Sequence, residues 1–163
     1  VKKRQPAADV RALDEVRFCY ELRETSRLLL AVLKRRTEPH GITLAQYFLL
    51  RHLWDDEGIN QSELSERLGT TQPATVATVD SLEKRRLIKR MRSTDDRRMV
   101  RLYLTAKGRT MRDTLLGYAR ELSLQALDGV GPADLAKLRA LLGDVRENLT
   151  AELAGSDEAE RGA

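Results

Sequence analysis

Residues Thr71 to Glu83, read Thr-Gln-Pro-Ala-Thr-Val-Ala-Thr-Val-Asp-Ser-Leu-Glu, carry side chains suited to contacting a polar surface rather than to moving protons or electrons. Ala74, Ala77, Thr78 and Ser81 follow the i, i+3, i+4, i+7 spacing of one helix face. That face is expected to hold no bulky or acidic group. It suits the floor of a DNA major groove, where hydroxyls reach base edges and methyl groups meet thymine. Gln72 adds an amide at the start of the helix, and Thr75 sits at the border with the packing side, where Val76, Val79 and Leu82 are expected. An ordinary surface helix with small residues fits the same pattern, so the helix alone leaves both readings open.

The residues that follow favour the first. Leu87 to Arg92, Ser93 to Arg98, and Met99 to Leu104 read as strand, polar turn and strand, a β-hairpin. From Lys84 to Arg109 the chain has eleven Lys and Arg against two Asp, a local charge of +9. The whole chain carries only +4, so the remainder sums to −5. Such a concentration is expected of a surface facing phosphates. Arg97 is a candidate phosphate ligand, and so are Lys84, Arg85, Lys89, Arg90 and Arg101, of which strand alternation turns only some toward DNA.

Catalytic chemistry finds little footing. His40 and His52 lack Cys or carboxylate partners at metal spacing, no phosphate loop is present, and no Ser lies in a nucleophile-elbow context. Asp55, Asp56 and Glu57 read as a solvated turn. Neither enzyme activity nor a cofactor or metal is expected. The one cysteine excludes an internal disulfide framework and fits a reducing cytoplasm. No apolar run approaches the roughly 18 residues of a membrane span, and no hydrophobic signal segment opens the chain. A non-specific architectural DNA binder and a protein-binding module are the alternatives from other classes.

These residues must be positioned by the surrounding elements. Gln61 to Leu68 reads as a short helix with Leu64 and Leu68 inward, Gln61 or Ser62 as cap and Gly69 as stop. After a tight turn the next helix starts at Pro73, with Thr71 or Gln72 as its cap. Two short helices so joined form a helix-turn-helix. Upstream, about Asp9 to Arg36 is helical with two apolar rows, Leu13, Val16 and Tyr20 in one, Phe18, Leu22, Leu29 and Leu33 in the other. A second subunit is a natural cover for so much apolar surface. Glu38-Pro39-His40-Gly41 breaks this helix, Thr43 caps the next through about Trp54, and Ile59 or Ile59-Asn60 adds a minimal third strand. Thr105 caps a long helix bearing Met111, Leu115, Tyr118, Leu122 and Ala126. The last helix starts near Pro132 and carries Leu135, Leu138, Leu142, Val145 and Leu149 in alternating steps of three and four, a heptad seam that packs either on its own chain or on a partner.

The order helix-turn-helix, Leu82-Glu83-Lys84-Arg85-Arg86-Leu87-Ile88, Asp96-Arg97-Arg98 and Leu102-Tyr103-Leu104-Thr105-Ala106-Lys107-Gly108 resembles the MarR family of bacterial winged-helix regulators. Asp96, Arg98, Thr105 and Gly108 meet the family pattern Asp-x-Arg, six residues, Thr-x-x-Gly, and the similarity covers roughly residues 10 to 153. Arg86 stands where the family usually has Gly, and Ala77 and Ser81 replace basic residues common on its recognition helix. The resemblance implies a mainly α fold with a small β-hairpin wing (α+β), a winged helix-turn-helix lobe plus a helical dimerisation region from both chain ends. Residues 1–9 are expected to form a flexible basic arm, 10–36 the N-terminal dimerisation helix, 37–104 the DNA-binding lobe, 105–153 the C-terminal dimerisation helices, and 154–163 a disordered tail.

On this resemblance the partners are a palindromic double-stranded DNA operator and a second copy of the chain, with no membrane. The protein is expected to be a sequence-specific repressor. Arg98 enters the minor groove, where a narrow A·T-rich stretch attracts guanidinium, and Asp96 orients the arginines near it. Gln72, Ala74, Thr75, Ala77, Thr78 and Ser81 face the bases; Arg85, Arg90 and Arg97 serve phosphates. The dimer interface takes Leu13, Val16, Tyr20, Leu135, Leu138, Leu142, Val145 and Leu149. A small anionic or aromatic effector is expected to release the DNA from a cleft near His40, Tyr47, Arg51 and Trp54, with His52 beside them. A peroxide-sensing branch of the family places its reactive cysteine in the first helix, where Cys19 lies between Phe18 and Tyr20. A small buried hydrophobe is the plainer reading of this cysteine.

Overall fold

The computed structural model describes the backbone of residues 7–93 and 99–161 and the side chains of 16–93 and 99–155. Its elements are α1 (Ala7–Thr37), a 3-10 turn (Glu38–His40), α2 (Leu44–Asp55), α3 (Gln61–Leu68), α4 (Gln72–Lys84), β1 (Ile88–Arg92), β2 (Val100–Leu104), α5 (Ala106–Ala126) and α6 (Pro132–Arg161). The fold is mainly helical with one antiparallel hairpin, as expected. Two compact units divide it, one reaching Leu122 and the other starting at Ser123. This division differs from one at 104/105. Gly108, Leu115 and Leu122 of α5 are buried in the first unit, with Met111 and Tyr118 packed beside them. The end of α1 contributes Leu33 to the same core.

That core is built from Leu49, Leu50 and Leu53 of α2, Leu64 of α3, Val79 and Leu82 of α4, and Leu87, Ile88, Leu102 and Leu104 around the hairpin. Helix-start signals explain the element boundaries. Thr43 and Gln46 form a full capping box on α2. Asn60, rather than Gln61 or Ser62, caps α3, its side chain accepting from the Glu63 amide at 2.9 Å. The carboxamide oxygen of Asn60 reaches that amide because its own backbone is extended, in a bridge to Arg101. Gly69 stops the helix in the left-handed conformation.

In the hairpin Ile88 pairs with Leu104 and Arg92 with Val100. The expected third strand is minimal: Leu102 donates to the Ile59 carbonyl at 3.0 Å and Gly58 to the Leu102 carbonyl at 2.8 Å. Thr105 caps α5 by accepting from the Gly108 amide at 3.0 Å. The acidic turn is tied down rather than merely solvated. Asp55 pairs with Arg51, Asp56 with Arg67, and Glu57 takes both oxygens to Arg109 at 2.9 Å. In the second unit α6 continues through Arg161, past the expected start of a disordered tail at 154. Despite Gly155, Ser156 and Asp157, the stretch ends in Glu158-Ala159-Glu160-Arg161, good helix formers, with no proline to stop it.

Candidate nucleic-acid interface

Helix α4 buries Thr75, Val79 and Leu82, which sets its outward face by helical geometry. Gln72, Ala74 and Ala77 are exposed, and Thr78 is half-buried with its hydroxyl donating to the Ala74 carbonyl at 3.0 Å. Two of the expected base-edge residues are tied inward. Thr75 is buried, its hydroxyl 2.9 Å from that of Thr70. Ser81 accepts from the Gln46 amide at 2.9 Å, so the capping-box glutamine of α2 also holds α4. The outward face does carry an acidic group, contrary to expectation. Pro73, Ala77, Asp80 and Lys84 run along the line opposite the buried row, and Asp80 is half-exposed there.

The basic cluster splits into two populations. The Arg85 guanidinium donates to the His40 carbonyl at 2.8 Å and to the Gly41 carbonyl, pinning the end of α4 to the turn before α2 instead of reaching for phosphate. Arg90 pairs with Asp80 at 2.5 Å and with Glu83, and its backbone N–H donates to Glu83 at 3.2 Å. Burial opposes the charge on Arg90, but hydrogen bonds to Asp80 and Glu83 outweigh it and hold the guanidinium above its ordinary pKa. Arg101 donates to the Gly58 carbonyl at 2.8 Å, Lys107 to the Arg85 carbonyl at 3.1 Å. Lys84, Arg86, Lys89 and Arg92 are exposed around α4 and β1. Asp96, Arg97 and Arg98, which follow β1 and precede β2 in the sequence, lie outside the described residues.

The expected effector residues are each engaged in contacts of their own. Tyr47 is buried, edge-on to Phe48 and Trp54 with ring centroids 5.4 and 5.8 Å away. Burial pushes its phenol above the ordinary tyrosine range, with Arg51 opposing. Trp54 packs against the core, Arg51 pairs with Asp55, and the His40 ring meets the Tyr118 hydroxyl at 3.0 Å. Two turns of α2 therefore make Tyr47 and Trp54 core neighbours. A cavity of about 280 Å³ lies instead among α2, α3 and α4, with Phe48, His52, Arg67, Leu68, Ala74 and Thr78 in its wall. Only His52 of these had been singled out for a ligand. Phe48 was overlooked because nothing in the sequence separates an exposed aromatic from a core one. Cys19 is exposed on α1, not buried.

Apolar side chains of the proposed interface remain uncovered in the single chain. Val16 is 70% and Tyr20 60% exposed on α1. In the second unit Leu138, Leu142 and Leu149 are exposed and Leu135 and Val145 half-buried on α6. Leu13 lies outside the residues whose side chains are described. No helix among the described residues is long and apolar enough to cross a membrane.

Comparison with known proteins bears on this geometry. The family model described as the MarR family matches residues 42–100, from the start of α2 to the second wing strand. A probable transcriptional regulator from Pseudomonas aeruginosa is 27% identical, with 77% of this chain and 94% of that one covered and a TM-score of 0.68. A MarR transcriptional regulator from Methanosarcina mazei shares 24% identity over 82% of this chain and 96% of that one, TM-score 0.75. Wild-type MarR from E. coli, in its apo form, shares 19% over 88% and 98%, TM-score 0.66, a likeness of fold. Helix-turn-helix, hairpin wing and flanking helices thus agree in order with these solved structures. Residues 42–100 match the MarR family, and the chain shares the winged helix-turn-helix fold of the transcriptional regulators it resembles.

Proposed function

We propose that the protein is a homodimeric repressor that reads a palindromic operator and is released by a small anionic or aromatic ligand. The observation that carries this reading is the pairing of two surfaces: a helix-turn-helix whose second helix exposes Gln72, Ala74 and Ala77 with Thr78 half-buried beside them, and apolar rows on α1 and α6 without cover. Gln72 suits an adenine edge, and the alanine and threonine methyls suit thymine. Lys84, Lys89 and Arg92 supply phosphate contacts, which set affinity and register but not sequence. Arg98, on the family pattern, enters the minor groove, with Asp96 orienting it and Arg97 on phosphate. Dimerisation through Leu13, Val16 and Tyr20 and the Leu135–Leu149 seam sets two recognition helices about one DNA turn, roughly 34 Å, apart.

The cavity beside α4 is a fitting seat for the ligand. Phe48 offers a ring face, His52 and Arg67 offer donors, and Ala74 and Thr78 in its wall belong to the DNA-reading helix. An occupant would compete with the groove. Selection of bound duplexes from a random library tests the function. A palindrome with half-sites one turn apart is the expected product; recovery of duplexes without common sequence would make this a non-specific architectural binder. Replacing Arg98 by Ala should weaken operator binding by roughly 1–3 kcal/mol, the scale of one good specific contact, in fluorescence anisotropy at fixed salt. Unchanged affinity would remove Arg98 from the interface.

A further inference from the structure

One guanidinium joins three elements of the DNA-binding lobe. Arg90 on β1 extends one nitrogen to Asp80 and the other to Glu83, both on α4, and the first also lies 3.5 Å from the Gln61 amide oxygen on α3. Its backbone N–H donates to Glu83 as well. The two carboxylates matter because of where they sit. Asp80 follows Ala77 on the outward line of α4 and Glu83 lies one turn further along, each still 40% or more exposed. A helix seated in a major groove brings such groups toward two phosphate backbones, where an unscreened carboxylate is repelled.

We propose that Arg90 is a positioning residue for DNA binding, which screens Asp80 and Glu83 on the recognition helix instead of clasping phosphate itself. This rests on the reading of α4 and the wing as the DNA-binding surface. With Arg90 the three groups sum to −1; without it they present −2 to the DNA. The planar fork reaches both carboxylates at once, whereas a lysine ammonium is a single point of charge.

The test uses the full chain and a labelled duplex that wild type recovers from a random library, with anisotropy measured across a salt series and circular dichroism as the fold control. Arg90→Gln should weaken binding at least tenfold. Adding Asp80→Asn and Glu83→Gln to it removes the charges that needed screening, and should restore binding to within about threefold of wild type with an unchanged salt slope. A folded triple variant as weak as Arg90→Gln would overturn the proposal, as would wild-type binding by Arg90→Gln. So would a slope shallower by about 0.9 in both variants, the mark of a lost phosphate contact. The triple variant is read against wild type even if the single one misfolds. Recovery of no duplex by wild type would instead defeat the DNA-binding reading itself.

Discussion

Gly108 has no room for a side chain, because a Cβ there would lie 2.0 Å from the Leu87 carbonyl oxygen. The obstacle is backbone at the exit of the α4–β1 turn, and Thr105 also bonds that carbonyl, at 3.2 Å. Gly108→Ala should therefore cost about 3 kcal/mol, seen as a lower urea midpoint at unchanged slope. Arg86 shows the converse. It holds φ of 58°, the left-handed region that glycine occupies cheaply and where a Cβ is crowded. The backbone at Arg86 is thus one that would suit the glycine usual in the family it resembles. Arg86→Gly should raise stability by about 1 kcal/mol in the same urea experiment, with the greater freedom of glycine in the unfolded chain offsetting part of the gain. Gln72 is exposed at the first turn of α4 and can donate and accept at one adenine. Gln72→Ala should lose roughly 1–3 kcal/mol on the selected operator and relax the preference at a single base pair, which a panel of single-substitution duplexes would reveal.

Among the elements, the α2–α3 connection is tied at several points. Asn60 caps α3 and bridges β2, while Glu57 grips Arg109 and accepts from the Leu104 amide at 3.3 Å. Asn60→Ala leaves the Glu63 amide without its cap and should lower stability by about 1 kcal/mol in thermal or urea unfolding. DNA affinity at temperatures well below the transition should stay near that of wild type, because the cap acts on α3 and not on the outward face of α4. A loss of affinity larger than the loss of stability would show that Asn60 itself meets the DNA.

For the whole molecule the decisive question is what covers the apolar rows. Leu142 is 39% exposed and Leu149 57%, so a charge at Leu142 costs the isolated chain little. Buried without a partner between two subunits, it would cost several kcal/mol. Leu142→Asp should thus yield a monomer with normal helix content and strongly reduced operator binding, since one lobe keeps half the contacts and loses the effective concentration of the other. Light scattering, circular dichroism and a gel shift check the three parts. A dimer with normal binding would mean that this seam does not hold the subunits together.

Periodicity and punctuation were enough to read the element order. Gly69 and Pro73 bracket the turn between α3 and α4, Thr43 and Thr105 announce helix starts, and alternation marks the hairpin, because each signal acts within a few residues of the backbone it governs. The family pattern was legible for the same reason, its glycine at 108 answering a close contact with Leu87 that leaves no space for another residue. The fate of each cation was not. Arg85 and Arg90 stand in one basic run with Lys84 and Lys89, yet the first two turn to carbonyls and carboxylates while the others remain at the surface. Likewise Ser81 shares its spacing with Ala77 but bonds Gln46, thirty-five residues upstream. Local spacing assigns a side chain to a face of its own helix. Which groups of distant elements approach that face, and so whether a charge is spent inside or offered outside, follows only from tertiary packing.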